Sequence, residues 1–302
     1  MKTSIISGVE SDFAAVPGDI VTRVNGIKKK VRDRLGNFSL DPDRHRDLQK
    51  FIGKAHEILL SPDAKRVRCI IPALIGEALD LDEEVCLKYG LIIELIHYTS
   101  LIHDDVIDTD DLRRGCHTLN SLFSNAQAVL IGDFMLCAVI DYSLEFDNSS
   151  TVIKLLIEGV KKMVTGVIIE QAVIREEPTL EKYREMVLLK TGSLFQLSFG
   201  LPFAGTEKLA DAMQCGALLG FMFQVFDDYL DRENDAPYLN IFHILPERDV
   251  IALWDESCRE LMELADKLGL SGVVRDSVDY LRTENWFQET PTPAGVMFRI
   301  PE

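Results

Sequence analysis

Two copies of one acidic pattern carry the chemistry of this chain. Asp104-Asp105-Val106-Ile107-Asp108 and Asp227-Asp228-Tyr229-Leu230-Asp231 both read DDxxD, and each closes a long apolar run. On a helix of about 100° per residue, Asp104 and Asp108 share one face about 6 Å apart, as do Asp227 and Asp231. Like charges at that spacing oppose helix formation, and a carboxylate at a helix C-terminus meets the negative end of the dipole. Such an arrangement calls for a compensating cation. Hard oxygen ligands from two facing helices suit Mg²⁺, which keeps several waters and binds through few carboxylates together with substrate phosphate. The polar stripe runs upstream through Glu94, His97 and Leu101 to Asp104 and Asp108, within about 80° of arc, and Gln224 extends the second cluster in the same way. A helix patterned like this lines a polar cavity inside a bundle. Glu94 and His97 match the Glu-x-x-His pattern of di-iron bundles once, and no second copy exists, which argues against a redox site.

Basic residues gather beside the acids. Arg113-Arg114-Gly115 follows the first cluster, Lys65-Arg66-Val67-Arg68 opens a helix after Ser61-Pro62-Asp63, and Lys190-Thr191-Gly192 interrupts an apolar helix. Metal-binding carboxylates combined with Arg forks and Lys ammonium groups suit a polyphosphate leaving group. Within the basic run, the alternation with Lys65 and Arg68 predicts that Arg66 points to solvent.

The elements that position these groups are helical. Apolar residues recur at three- and four-residue spacing over 45–60, 70–80, 85–108, 119–145, 150–174, 179–200, 207–232 and 247–268. Several of these stretches are too long for strands, and no alternating strand–helix punctuation suggests a parallel sheet. The fold class is therefore all-α: a single-domain helical bundle with a shared core, spanning residues 1–288, with an irregular tail at 289–302 that contains Pro291, Pro293 and Pro301.

The chain has 302 residues, 47% of them apolar, and a formal charge of −17. That composition excludes a mainly disordered chain and speaks against nucleic-acid partners. No uninterrupted apolar run reaches the eighteen or so residues of a membrane span, and the N-terminus makes a poor secretory signal. The six cysteines are scattered without a CxxC, which predicts reduced thiols and a cytoplasmic setting.

Taken in order, the stretches Ser100 to Asp108, Arg113-Arg114-Gly115, Ile131-Gly132-Asp133-Phe134, Lys190 to Phe195 and Phe223 to Asp231 resemble the motifs of the trans-isoprenyl diphosphate synthases, or polyprenyl synthetases, over residues 45–232. The resemblance implies a homodimer of the isoprenoid-synthase fold, a helical bundle around a deep central cavity. It implies three Mg²⁺ ions held by Asp104 and Asp108 on one side and Asp227 and Asp231 on the other, with Asp105 and Asp228 in support. Arg113, Lys190, Thr191 and Gln224 would contact an allylic prenyl diphosphate. Lys65, Arg68, His97 and Arg114 would hold the diphosphate of isopentenyl diphosphate. The implied reaction is a prenyl transfer that lengthens the allylic substrate by one isopentenyl unit. Thr99 and Ser100, small residues one turn before Asp104, then suggest a deep pocket and a product of geranylgeranyl length or longer, which Tyr98 or Ile140 could still close.

Three motifs depart from the family pattern. The GGKRxRP loop reads Asp63-Ala64-Lys65-Arg66-Val67-Arg68-Cys69. The stretch from Arg232 to Pro246 lacks the lysines of GKxxGxDLxxGKxT, which leaves Arg232 as its nearby cation and Phe242 where a lysine is expected. The Gly-Glu-x-x-Gln motif becomes Gly166 to Gln171 with Glu170 displaced. These departures leave two alternatives to an active synthase: a weakly active or inactive subunit that binds prenyl diphosphate and modulates a partner, or a terpene cyclase or coupling enzyme on the same fold.

Overall fold

The computed structural model describes residues 18–37, 46–61, 64–113, 115–173, 179–232 and 239–281. Arg114, the segment 233–238 and the expected tail at 289–302 lie outside the described residues. The helices are α1 (Gly18–Asn37), α2 (Arg46–Leu59), α3 (Val67–Leu79), α4 (Glu83–Ile107), α5 (Leu119–Leu122), α6 (Asn125–Ser143), α7 (Ser149–Val173), α8 (Leu180–Lys190), α9 (Gly192–Gly200), α10 (Leu209–Leu230), α11 (Ile241–Ile244), α12 (Glu247–Leu268) and α13 (Ser271–Leu281). Between α4 and α5 lies a small antiparallel hairpin, β1 (Leu112–Arg113) and β2 (Cys116–His117), in which Arg113 pairs with Cys116 across the positive-φ Gly115. The all-α expectation holds.

Local chemistry sets the helix ends. Asp82 caps α4 by accepting from the Val85 N–H at 2.9 Å, and Glu83 and Glu84 complement the dipole in its first turn. Ser124 caps α6 and Thr179 caps α8 in the same way. Gly269, at φ 79°, closes α12 in the left-handed conformation that favours glycine.

The core is one continuous cluster in which α9 lies along α10, α3 packs on α4, α4 on α6, and α7 on α8. Glycines set the closest approaches. A Cβ on Gly216 would stand 2.3 Å from the Phe195 carbonyl oxygen, and one on Gly166 would stand 2.3 Å from the Lys190 backbone nitrogen. The α9–α10 seam and the α7–α8 seam therefore exclude any side chain at those points.

The membrane expectation needs correction. The helices α4, α6 and α10 are long and apolar enough to cross a membrane by length and composition. Counting only uninterrupted runs missed them, because single polar residues break each run. In the fold, α4 and α10 bury 72% and 61% of their most apolar stretch, so their apolarity is spent on the core, whereas α6 buries 33%. All six cysteines are free thiols; Cys69, Cys86, Cys215 and Cys258 are buried, and Cys116 and Cys137 are exposed.

Candidate active site

The two aspartate clusters end α4 and α10, and each hands its chain to a short connecting segment. In both, the middle aspartate is the buried one. Asp105 receives a hydrogen bond from Arg113 Nε at 2.5 Å, which ties the hairpin to the end of α4. Its backbone carbonyl accepts from Asn120 Nδ2 at 3.3 Å. Asp228 accepts from Gln224 Nε2 and from the Ile241 N–H, both at 2.9 Å, and its carbonyl accepts from Asn240 Nδ2 at 2.8 Å. That second set seats α11 against α10.

Of the outer aspartates, Asp108 and Asp231 face one small cavity. A cavity of about 290 Å³ is walled by Asp108 from the first cluster and Asp228 and Asp231 from the second, with Glu170, Lys190, Gln224, Asn240 and His243 around them. Four carboxylates meet one lysine there. Lys190 Nζ is hydrogen-bonded to Glu170 Oε2 at 2.5 Å, and Thr191 Oγ1 donates to Gln224 Oε1 at 2.8 Å, so Thr191 reaches the site through Gln224. Asp104 walls neither cavity described here, but its surroundings are those of the smaller one. Burial pushes its carboxyl up; Lys190 and Arg113 pull it back, and Asp108 and Glu170 oppose them.

A larger cavity, about 930 Å³, opens between α2, the start of α3, α4, the hairpin and α5. Lys65, Arg68, His97 and Arg113 all wall it, together with Asp105 and Asp227. Lys54 and Arg66 raise its arginine and lysine count to five, against four carboxylates, in a chain that is strongly acidic overall. Arg68 is fixed by its stacking, with its guanidinium 4.8 Å from the Phe195 ring centre and 5.1 Å from that of Phe223. Burial holds the Asp227 carboxyl up at about 7, with Arg68 and Lys65 pulling down and Asp228 and Asp231 pushing up.

Several sequence expectations change here. Arg66 does not point to solvent. It is buried at the head of α3 in a left-handed conformation (φ 55°), donates to the carbonyls of Leu59, Ser61 and Ala64, and stands 3.6 Å from Glu94. It organises the loop so that Lys65 and Arg68 reach the cavity. Thr99 is buried and donates to the Leu95 carbonyl, Ser100 donates to that of His97, and neither walls the two cavities; Tyr98 walls the larger one. Arg232 lies over the Tyr229 ring and donates to the Tyr229 carbonyl at 2.5 Å, while His243 faces the smaller cavity. Sequence reasoning missed Glu170 and His243. The altered Gly166-to-Gln171 motif was the signal for Glu170, since Gly166 rests on the Lys190 backbone and Glu170, one helical turn on, meets the Lys190 side chain. Nothing in the sequence marked His243.

Among the described residues, no three carboxylate, imidazole or thiol groups stand close enough to cage a metal alone. The oxygen-rich donor set fits a hard cation that arrives with phosphate and completes its shell with water and phosphate oxygens.

The family model of polyprenyl synthetases matches residues 49–240. This chain belongs to the polyprenyl synthetase family. A prenyl transferase of Synechocystis is 38% identical over 227 residues, which cover 72% of this chain and 66% of that protein. The octaprenyl diphosphate synthase of Escherichia coli is 31% identical over 186 residues, 60% of this chain and 57% of the relative. The chain thus spans less than two thirds of those relatives' lengths. Its fold matches the geranyltranstransferase of Thermotoga maritima with a TM-score of 0.74 at 24% identity, over 89% of this chain and 100% of that one.

Proposed function

We propose that this polyprenyl synthetase condenses isopentenyl diphosphate with an allylic prenyl diphosphate. The observation that carries the reading is the division of the site into an acidic cavity walled by both aspartate clusters and a neighbouring cavity rich in fixed cations. A diphosphate that must leave needs charge neutralisation that grows as the bond breaks. A diphosphate that stays needs only steady cations.

In this reading Asp104 and Asp108, with Asp227 and Asp231 opposite, hold Mg²⁺ together with the allylic diphosphate, three ions per site by family resemblance. When bound, Mg²⁺ supplies electrophilic stabilisation of the departing diphosphate. Lys190 and Gln224 orient that group, Thr191 orients Gln224, and Asp105 positions Arg113 between the cavities. Lys65, Arg68 and His97 hold isopentenyl diphosphate with its double bond toward the allylic carbon. The apolar walls from Leu101, Ile102 and Phe223 keep water from the allylic cation. A proton is then lost from the new prenyl chain. The proposed product, of geranylgeranyl length or longer, rests on the family resemblance at Thr99 and Ser100 and not on the lining of either cavity.

The working unit is a homodimer. Leu130 on α6 is 66% exposed, and Ile157, Val164 and Ile168 form an exposed apolar stripe on α7 at seven- and four-residue spacing. A second copy covers this face. Sedimentation of Ile168→Glu as a monomer, against a wild-type dimer, checks it.

The function is tested by incubating the protein with Mg²⁺, isopentenyl diphosphate and farnesyl or geranylgeranyl diphosphate, then separating the products. Longer diphosphates support the reading. Hydrocarbons point to a cyclase, and unreacted substrate points to an inactive subunit. Farnesyl diphosphate as the sole product from shorter starters refutes the proposed length.

A further inference from the structure

Tyr98 sits on α4 one turn before Ile102 and two turns before Asp105, on the face that walls the larger cavity. It is 8% exposed, and its hydroxyl has no hydrogen-bond partner among the described residues. Native interiors leave few such groups, because an unpaired buried hydroxyl forfeits its bonds to water without replacement. A phenyl ring would fill the same space without that penalty, so the hydroxyl has a use beyond packing. Its neighbours define the use. Lys65, Arg68, His97 and Arg113 wall the same cavity, which makes it a place for anionic oxygen. Burial, reinforced by the Asp105 charge, holds the phenol in its protonated form, so it can donate.

We propose that the Tyr98 hydroxyl donates a hydrogen bond to the diphosphate that binds among Lys65, Arg68, His97 and Arg113, and so positions that substrate. This rests on the reading of function given above. It also moves Tyr98 from the floor of the product pocket, where its sequence position suggests it, to the diphosphate site.

The test compares wild type with Tyr98→Phe, which keeps the ring. Removing a hydrogen bond to a charged group raises the KM for isopentenyl diphosphate about tenfold. The KM for the allylic substrate and the product length stay as in wild type. The ligand-free variant melts at or above the wild-type temperature, since a buried unpaired group has gone. Calorimetry with inorganic pyrophosphate gives an independent reading, about tenfold weaker in the variant. Unchanged KM and unchanged pyrophosphate affinity in a folded variant overturn the proposal, as does a change in product length without a change in KM. A wild-type protein that turns over neither substrate removes the proposed reaction, and the pyrophosphate titration then decides the role of Tyr98 by itself.

Discussion

The two aspartate clusters solve the same problem with different chemistry. In each, the middle carboxylate turns inward to fasten the chain that follows, while an asparagine further along donates to the same residue's carbonyl. The first cluster does this with an ion pair: Asp105 meets Arg113, whose side chain is 33% exposed. The second uses neutral donors, the Gln224 amide and the Ile241 N–H, on a carboxyl that burial pushes up and those donors pull back. The difference teaches that DDxxD is two devices in one. Its outer residues Asp108 and Asp231 wall the smaller cavity, while its middle residue is committed to fastening the fold.

The widest separation between these roles comes from the outer residues. Asp104→Ala lowers the rate of prenyl transfer by about a thousandfold or more while circular dichroism and melting stay close to wild type. Full activity in that variant breaks the comparison at its root. The middle residues should differ from each other in stability. Asp228→Ala leaves the Gln224 amide and the Ile241 N–H without their acceptor and costs about 3 kcal/mol. Asp105→Ala leaves an arginine that is partly in water and stands 3.6 Å from Asp110, so about 1 kcal/mol is lost. Urea denaturation of both variants checks the ranking, and equal losses refute it.

Acidity sharpens the contrast further. Asp227 is held up at about 7 against an ordinary 3.8, so the folded, metal-free chain favours its protonated form. That contribution to stability is complete below about pH 4 and is lost as the pH rises through 7. In EDTA the melting temperature should fall between pH 5 and 7.5, and Asp227→Asn should flatten that slope. Added Mg²⁺ should raise melting more at pH 7.5 than at pH 5, because the ion needs the ionised carboxylate. The smallest effect is at Thr191→Val, which removes one hydroxyl bond to Gln224 and should raise the KM for the allylic substrate about threefold.

Much of this molecule was legible in its sequence, for physical reasons. Apolar periodicity located the long helices, and the ends of α4 and α10 fall at the aspartates as expected. Periodicity also hid two breaks. The stretch 119–145 divides at Phe123, and 179–200 divides at Thr191, whose backbone stays helical (φ −84°, ψ −45°); only the interruption at Lys190-Thr191-Gly192 marked the second division. The helix α1 was missed although Val24, Ile27, Val31 and Leu35 are spaced for one buried face, because lysines and arginines dominate the rest of it. In the site, Glu94, His97 and Leu101 of the polar stripe wall the larger cavity, while Asp104, placed on the same stripe, walls neither. Asp105 and Asp108 then part company, one to each cavity, because the helix ends between them. The burial of Arg66 depends on carbonyls brought together by a turn, and no local pattern encodes that.

The seam between α9 and α10 has a consequence for how this fold could be remodelled. Where Gly216 and Gly220 lay one backbone on another, there is no side chain left to shorten, so that flank cannot retreat to admit a bulkier ligand. Libraries aimed at altered substrate size belong on the opposite side, at Ile58, Leu119 and Leu122, where trimming a methyl group creates room without prying two helices apart.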